Sequence, residues 1–196
     1  MKKLLNLTLA TILGTLLFTS CNKNEDNSYE EEYQKELARI DSTNKAQAPI
    51  LKTYAEQVLG PTRKLDSASG IWFEELLPAT DNSYSFISAT GQLKTFLTTA
   101  KYSGRLVPTG TEFSPEAEGN FTSQGVIPAW QFAYYPKSVT LDNIERKIGG
   151  ITANGLKTGA KIRIIAPSTL CYDKTSRDKI PANSPLDFTI EVKSIN

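Results

Sequence analysis

The sequence predicts an α+β fold: an antiparallel sheet with one buried face, a short helix to cover that face, and a helical extension ahead of both. Three observations carry this expectation. From Gly70 onward apolar residues recur with period two, the spacing of half-buried strands. Between Tyr29 and Leu59 they recur at helical spacing. Ile127-Pro128 opens a short helix with proline in its first turn, where the missing N–H costs nothing.

Residues 1–20 stand outside the fold. Lys2 and Lys3 form a positive n-region, and Leu4 to Phe18 is an apolar stretch shorter than the roughly twenty residues a membrane span needs. The segment ends Leu17-Phe18-Thr19-Ser20-Cys21. Small residues before a cysteine resemble a bacterial lipobox, whose Cys is diacylated and becomes the mature N-terminus; Phe18 stands where Leu is commoner. The alternative is a plain secretory signal with an incidental Cys21. Two acyl chains anchor a protein stably where one does not. The resemblance implies a cell-envelope protein, an outer-membrane lipoprotein facing the periplasm or the surface. Residues 21–28 read as a polar tether. Its Glu25 and Asp26 resemble the surface-export signal of Bacteroidetes lipoproteins; a generic solvated linker is the alternative.

Residues 29–69 form the helical extension. Tyr33, Leu37 and Ile40 share one helix face, Ser42-Thr43-Asn44 breaks the pattern, and Ile50 to Leu59 starts a second short helix that Gly60-Pro61 stops. Residues 70–196 form the sheet domain. Ile71 to Leu77 and Tyr84 to Ile87 read as strands, as does the alternation from Phe96 to Arg105. Val107-Pro108-Thr109-Gly110 is a turn. Ala160, Ile162, Ile164 and Ala166 alternate with Lys161, Arg163 and Ile165. The last strand is the clearest: Leu186, Phe188, Ile190 and Val192 point inward, Asp187, Glu191 and Lys193 outward.

Composition bounds the function. At 39% hydrophobic and 22% charged the chain is globular. It has no His, which removes Ser-His-Asp and Cys-His nucleophile pairs and His-ligated zinc. A net charge of +1, or −1 once Lys2 and Lys3 leave with the leader, does not suit a nucleic-acid binder. Of two cysteines one is Cys21, so Cys171 has no disulfide partner and reads as a small apolar filler. No metal or cofactor motif appears: Gly149-Gly150 lacks the rest of any phosphate loop, and Glu74-Glu75 point to opposite faces of their strand.

Several segments, in order, carry a resemblance. Tyr102-Ser103-Gly104-Arg105-Leu106 followed by Thr109-Gly110-Thr111-Glu112-Phe113 is similar to the Y-x-G-x-L…x-G-x-x-F hairpin of FKBP-type prolyl isomerases. Phe121 to Trp130 resembles that family's F-x-x-x-x-V-I-P-G-W segment. Leu156-Lys157-Thr158-Gly159 and the strand after it, Cys171-Tyr172, and Ile180-Pro181-Ala182-Asn183-Ser184-Pro185-Leu186-Asp187-Phe188 follow in the family's order. The resemblance implies an antiparallel twisted sheet wrapped around a short helix, and isomerase and chaperone activity on proline-containing segments of envelope proteins.

The family's chemistry suits a chain without His. Rotation about X-Pro faces a barrier of ~18–20 kcal/mol because the amide is conjugated. Twisting reduces the amide's charge separation, so an apolar pocket favours the twisted state relative to water. The resemblance assigns the catalytic walls to Tyr102, Phe113, Val126, Ile127, Trp130, Tyr172 and Phe188, with Phe121 and Ile180 binding substrate. Trp130 would be the floor, and the Ile127 N–H and Tyr172 hydroxyl would be donors to substrate carbonyls. A row of aromatics in a sheet protein is also what an ordinary core looks like.

The chain departs from the pattern in places. Ser114 stands where the family has Asp, Ala129 replaces Gly, Asp173 replaces the Gly after Tyr, and Ser168 to Lys179 lacks a glycine-rich flap. Gln131 to Asn154 is an insertion, expected to extend the helix region or to fold over the pocket. Three readings therefore stay open: an isomerase, a catalytically weak peptide-binding module on the same fold, and an envelope scaffold whose cleft is filled by its own side chains.

Overall fold

The computed structural model describes residues 24–196, with side chains from Ser28 onward. The leader, Cys21 and the first tether residues lie outside the described residues. The chain divides into two units, 1–37 and 38–196. The described part of the first is the beginning of helix α1, Asn24–Val58, on which Tyr29, Tyr33 and Leu37 are exposed. No described helix is long and apolar enough to cross a membrane.

α1 corrects three expectations. Helix begins at Asn24, inside the segment read as tether, because polar composition alone does not forbid helix. It runs through Ser42-Thr43-Asn44 without a break. Those residues are weak helix formers, but propensity yields to tertiary contacts, and Asn44 accepts a 2.6 Å hydrogen bond from Thr169. It also runs through Pro49, which forfeits one backbone hydrogen bond. Burial of Leu51, Tyr54, Ala55 and Leu59 just beyond offsets that loss.

The rest of the chain forms one six-stranded antiparallel sheet and a separate hairpin. The strands are β1 (Lys64–Asp66), β2 (Ile71–Leu77), β3 (Leu97–Leu106), β4 (Glu112–Thr122), β5 (Ser138–Leu141), β6 (Ile144–Lys147), β7 (Lys161–Ala166) and β8 (Leu186–Ile195). The sheet order is β1-β2-β7-β8-β3-β4, and β5-β6 pair with each other. Helix α2, Pro128–Tyr134, has proline at its start, as expected. Its Ala129, Trp130, Ala133 and Tyr134 pack on Ile162, Ile164, Phe188, Ile190 and Val192.

The inward register of β8 is as expected, but Asp187 is not outward. It is 2% exposed. The sheet has a second covered face, where α1 lays Leu51, Tyr54 and Ala55, with Leu59 just past its end, over Ile165 and Val107. A strand's own pattern cannot reveal a helix arriving from more than a hundred residues away.

Tyr84 to Ile87 is not a strand. Only an Ile87–Leu93 bridge forms there. Side chains take over the ladder's work: Ser85 Oγ accepts from the Ile87 N–H and Ser88 Oγ from the Gln92 N–H. Phe86 is buried against Tyr84 and Tyr135, with ring centroids 5.0 and 5.8 Å away.

The 131–154 insertion folds beside that loop. Asp142 and Asn143 both have positive φ, 51° and 61°, the two-residue turn that suits a tight hairpin. The chain then returns to the body of the domain, with the Lys137 N–H on the Thr152 carbonyl and the Ile151 N–H on the Phe132 carbonyl.

Candidate functional site

Between α2 and the β3–β4–β8 end of the sheet lies an open cleft of about 320 Å³. Its lining is Tyr102 of β3, Phe113, Ser114 and Phe121 of β4, Gly125, Val126 and Ile127 before α2, Trp130 of α2, Tyr172 and Ile180 of the β7–β8 connection, and Phe188 of β8. All nine residues singled out in the fold domain are brought together. Ser114, noted only as a departure, and Gly125 join them. No lining residue is charged, and none comes from 131–154, so the insertion does not cover the cleft.

Trp130 and Phe188 are buried and form the floor, while Tyr102, Phe113 and Phe121 are half-buried walls. The rings meet edge to face. Trp130 lies 5.5 Å from Tyr102, 5.1 Å from Phe121 and 5.7 Å from Phe188, and Phe113 lies 5.7 Å from Phe188. Edge-to-face pairs add about 0.5–1.5 kcal/mol each beyond burial, so these rings hold one another in place.

Phe113 and Ser114 are consecutive yet both line the cleft, which regular strand alternation forbids. The β3–β4 register shifts on both sides of Gly104, and that irregularity re-aims the two side chains. Gly104 has a second role. A Cβ there would sit 2.3 Å from the Phe113 ring, so glycine makes the space the ring occupies. Gly104 belongs to the Y-x-G-x-L motif, but no local pattern signals its contact with Phe113.

The donors follow. No described residue accepts a hydrogen bond from the Ile127 N–H. The backbone there is extended, at φ −65° and ψ 156°, just ahead of α2. The buried indole N–H of Trp130 also finds no partner among the described residues. The Tyr172 hydroxyl makes no hydrogen bond with a described residue either, and the Arg177 guanidinium lies 5.8 Å from its ring centre. Burial raises the Tyr172 pKa above the ordinary phenol value, with Arg177 opposing. The group therefore stays a neutral O–H donor at neutral pH.

Cys171, beside Tyr172, is buried, and burial pushes its thiol far up. It is a filler and not a nucleophile at neutral pH. Among the described residues no group of three or more His, Cys, Asp or Glu side chains could hold a metal ion.

An uncharged aromatic cleft with free donors and no titrating acid–base pair defines a class of site that binds an apolar segment and its carbonyls. Residues 93–193 match the family model of FKBP-type peptidyl-prolyl cis-trans isomerases. The chain belongs to that family. Among solved structures, a peptidyl-prolyl cis-trans isomerase from Pseudomonas syringae pv. tomato str. DC3000 is 23% identical with a TM-score of 0.51, the match covering 80% of this chain and 95% of that one. FkpA from Escherichia coli is 22% identical with a TM-score of 0.52, covering 89% of this chain and 74% of that one. At these identities the likeness shows the fold. No curated protein sequence matches the chain.

Proposed function

We propose that this protein is a lipid-anchored peptidyl-prolyl cis-trans isomerase and chaperone of the cell envelope, acting on X-Pro bonds in its cleft. The observation that carries the reading is the uncharged aromatic lining around Trp130, with the Ile127 N–H left free at its edge. The proline ring sits over the Trp130 indole. The apolar walls disfavour the planar, charge-separated amide relative to water. The Ile127 N–H and the Tyr172 hydroxyl hold the flanking carbonyls, each worth about 1 kcal/mol net. None of these steps moves a proton, which fits a chain without His. The anchor is Cys21, and the clients are proline-containing segments of envelope proteins.

Ser114 supports a second reading, a peptide-binding module with weak catalysis, because it lines the cleft where the family carries a carboxylate. One experiment separates the two. Protein from residue 22 onward is added to a cis/trans exchange assay on an X-Pro peptide, with binding followed by Trp130 fluorescence. Acceleration that falls about five- to tenfold in Tyr172→Phe, and more in Trp130→Ala, supports the isomerase. Binding without acceleration supports the module. A protein that neither accelerates exchange nor binds the peptide supports the scaffold reading alone.

A further inference from the structure

We propose that the Arg39–Gln47 stretch of α1 is a positioning element for the cleft, holding in place the loop that carries Tyr172 and Ile180. The inference rests on the cleft reading above and adds residues that touch no substrate.

The β7–β8 connection, residues 167–185, supplies two cleft residues but has little structure of its own. It contains one 3-10 turn, Ser168–Leu170, and one isolated bridge, Arg177–Ile180. Asp173, Asp178 and Asn183 all have positive φ, at 47°, 39° and 59°, a left-handed conformation that Asp and Asn adopt more readily than other side-chain-bearing residues. The Tyr172 hydroxyl has no described hydrogen-bond partner, so its position follows from the packing of its ring against the core and from the backbone that carries it.

α1 holds that backbone. Gln47, nearly buried, donates from Nε2 to Ser168 Oγ at 2.8 Å and to the Asn183 carbonyl at 3.2 Å, and its Oε1 accepts from the Ser168 N–H at 2.9 Å. Asp173 joins the same two residues through its backbone: its N–H donates to the Ser168 carbonyl at 2.9 Å, and its carbonyl accepts from the Asn183 N–H at 2.6 Å. Gln47, Ser168, Asp173 and Asn183 thus close a ring of hydrogen bonds, with Tyr172 attached immediately outside it. Two turns earlier on α1, Arg39 grips the Asp173 carboxylate with both terminal nitrogens, at 3.1 and 2.5 Å.

Cohesion alone would not need this chemistry. Further along α1, the apolar packing of Leu51, Tyr54 and Ala55 supplies cohesion. Directional hydrogen bonds specify one arrangement where apolar contact tolerates several, and here they converge on the residue next to the cleft tyrosine.

The test uses the full chain. Arg39→Met and Asp173→Asn remove the ion pair at a half-exposed position, and Asn tolerates the positive φ. Each is expected to lower kcat/KM on an X-Pro peptide about fivefold, mostly through KM, with urea stability little changed. Arg39→Lys should recover part of the loss. In a Tyr172→Phe background the Arg39→Met effect should shrink, because both act through one hydroxyl. If the wild type binds peptide without turnover, Trp130 fluorescence reads the same cycle as Kd. An active wild type whose Arg39→Met and Asp173→Asn variants keep full activity, or whose losses simply add to that of Tyr172→Phe, overturns this inference alone. A wild type with neither turnover nor binding overturns the cleft reading with it.

Discussion

Arg163 holds Asp187 with two hydrogen bonds, Nε to Oδ1 at 3.0 Å and Nη2 to Oδ2 at 2.7 Å, beneath α1. Tyr54 donates to the same carboxylate at 3.0 Å, and Arg163 Nη1 donates to the Val58 carbonyl at 2.8 Å. The group ties the end of α1 to two neighbouring strands, on the face opposite the cleft. Asp187 and Phe188 are adjacent, so β8 serves the ion pair with one residue and the cleft floor with the next.

Removing one partner should cost more than removing both. Asp187→Ala leaves the Arg163 charge uncompensated under α1, with an expected loss of about 3–5 kcal/mol in urea unfolding. The double variant Asp187→Leu, Arg163→Met should lose much less. A single variant costing under about 1 kcal/mol would contradict the assignment of a buried pair.

Alkaline pH should loosen the fold through two tyrosines. Burial, with Asp187 adding to it, raises Tyr54 to about 12, and burial raises Tyr134 to about 12. Both folded values lie above the unfolded value of 10.0. The unfolded chain therefore releases its protons first, and stability present below pH 10 is lost as pH rises towards 12. At 1.36 kcal/mol per unit, the fully buried Tyr134 accounts for roughly 2–3 kcal/mol, and Tyr54, shared between Asp187 and Arg163, for less. Urea titrations between pH 8 and pH 11.5, run with Tyr54→Phe and Tyr134→Phe, should show a slope that flattens in each variant.

Gly104→Ala should damage the cleft more than the sheet. Its Cβ would meet the Phe113 ring at 2.3 Å, so the ring must move out of the lining. We expect peptide binding to fall about tenfold, with unfolding cost limited to about 1–3 kcal/mol, the range for overpacking. Unchanged binding would show that Phe113 is not a wall.

Replacing the β5–β6 hairpin, residues 138–147, with a short Gly linker should leave peptide affinity within about twofold, since none of its residues lines the cleft. Calorimetric titration with an X-Pro peptide reads this directly. A large change in either direction would mean that the hairpin reaches the bound peptide.

Cys21→Ala should release the protein from membranes. On the proposed anchoring, the variant lacks the cysteine that would carry the acyl chains, and fractionation of cells expressing it reads the outcome. Unchanged membrane association would rule out anchoring at Cys21.

The sequence by itself determined the register of β8 and the opening of α2, because period-two alternation and a first-turn proline act over a few residues. Motif order was enough to bring Tyr102, Phe113, Phe121, Trp130, Tyr172 and Phe188 to one place. The β5–β6 hairpin was signalled by Asp142-Asn143, a turn pair that the alternation-based reading passed over. Only the tertiary structure decided that α1 continues through Ser42-Thr43-Asn44 and Pro49, that Asp187 is buried, and that Arg39 and Gln47 hold the loop behind Tyr172. Each of these joins residues more than a hundred positions apart, and a local pattern contains no term for what will pack against it. Local propensity is worth a few tenths of a kcal/mol for an ordinary residue and about 3 for a proline inside a helix, while covering an apolar face contributes several, so where the two disagreed the long-range contact prevailed.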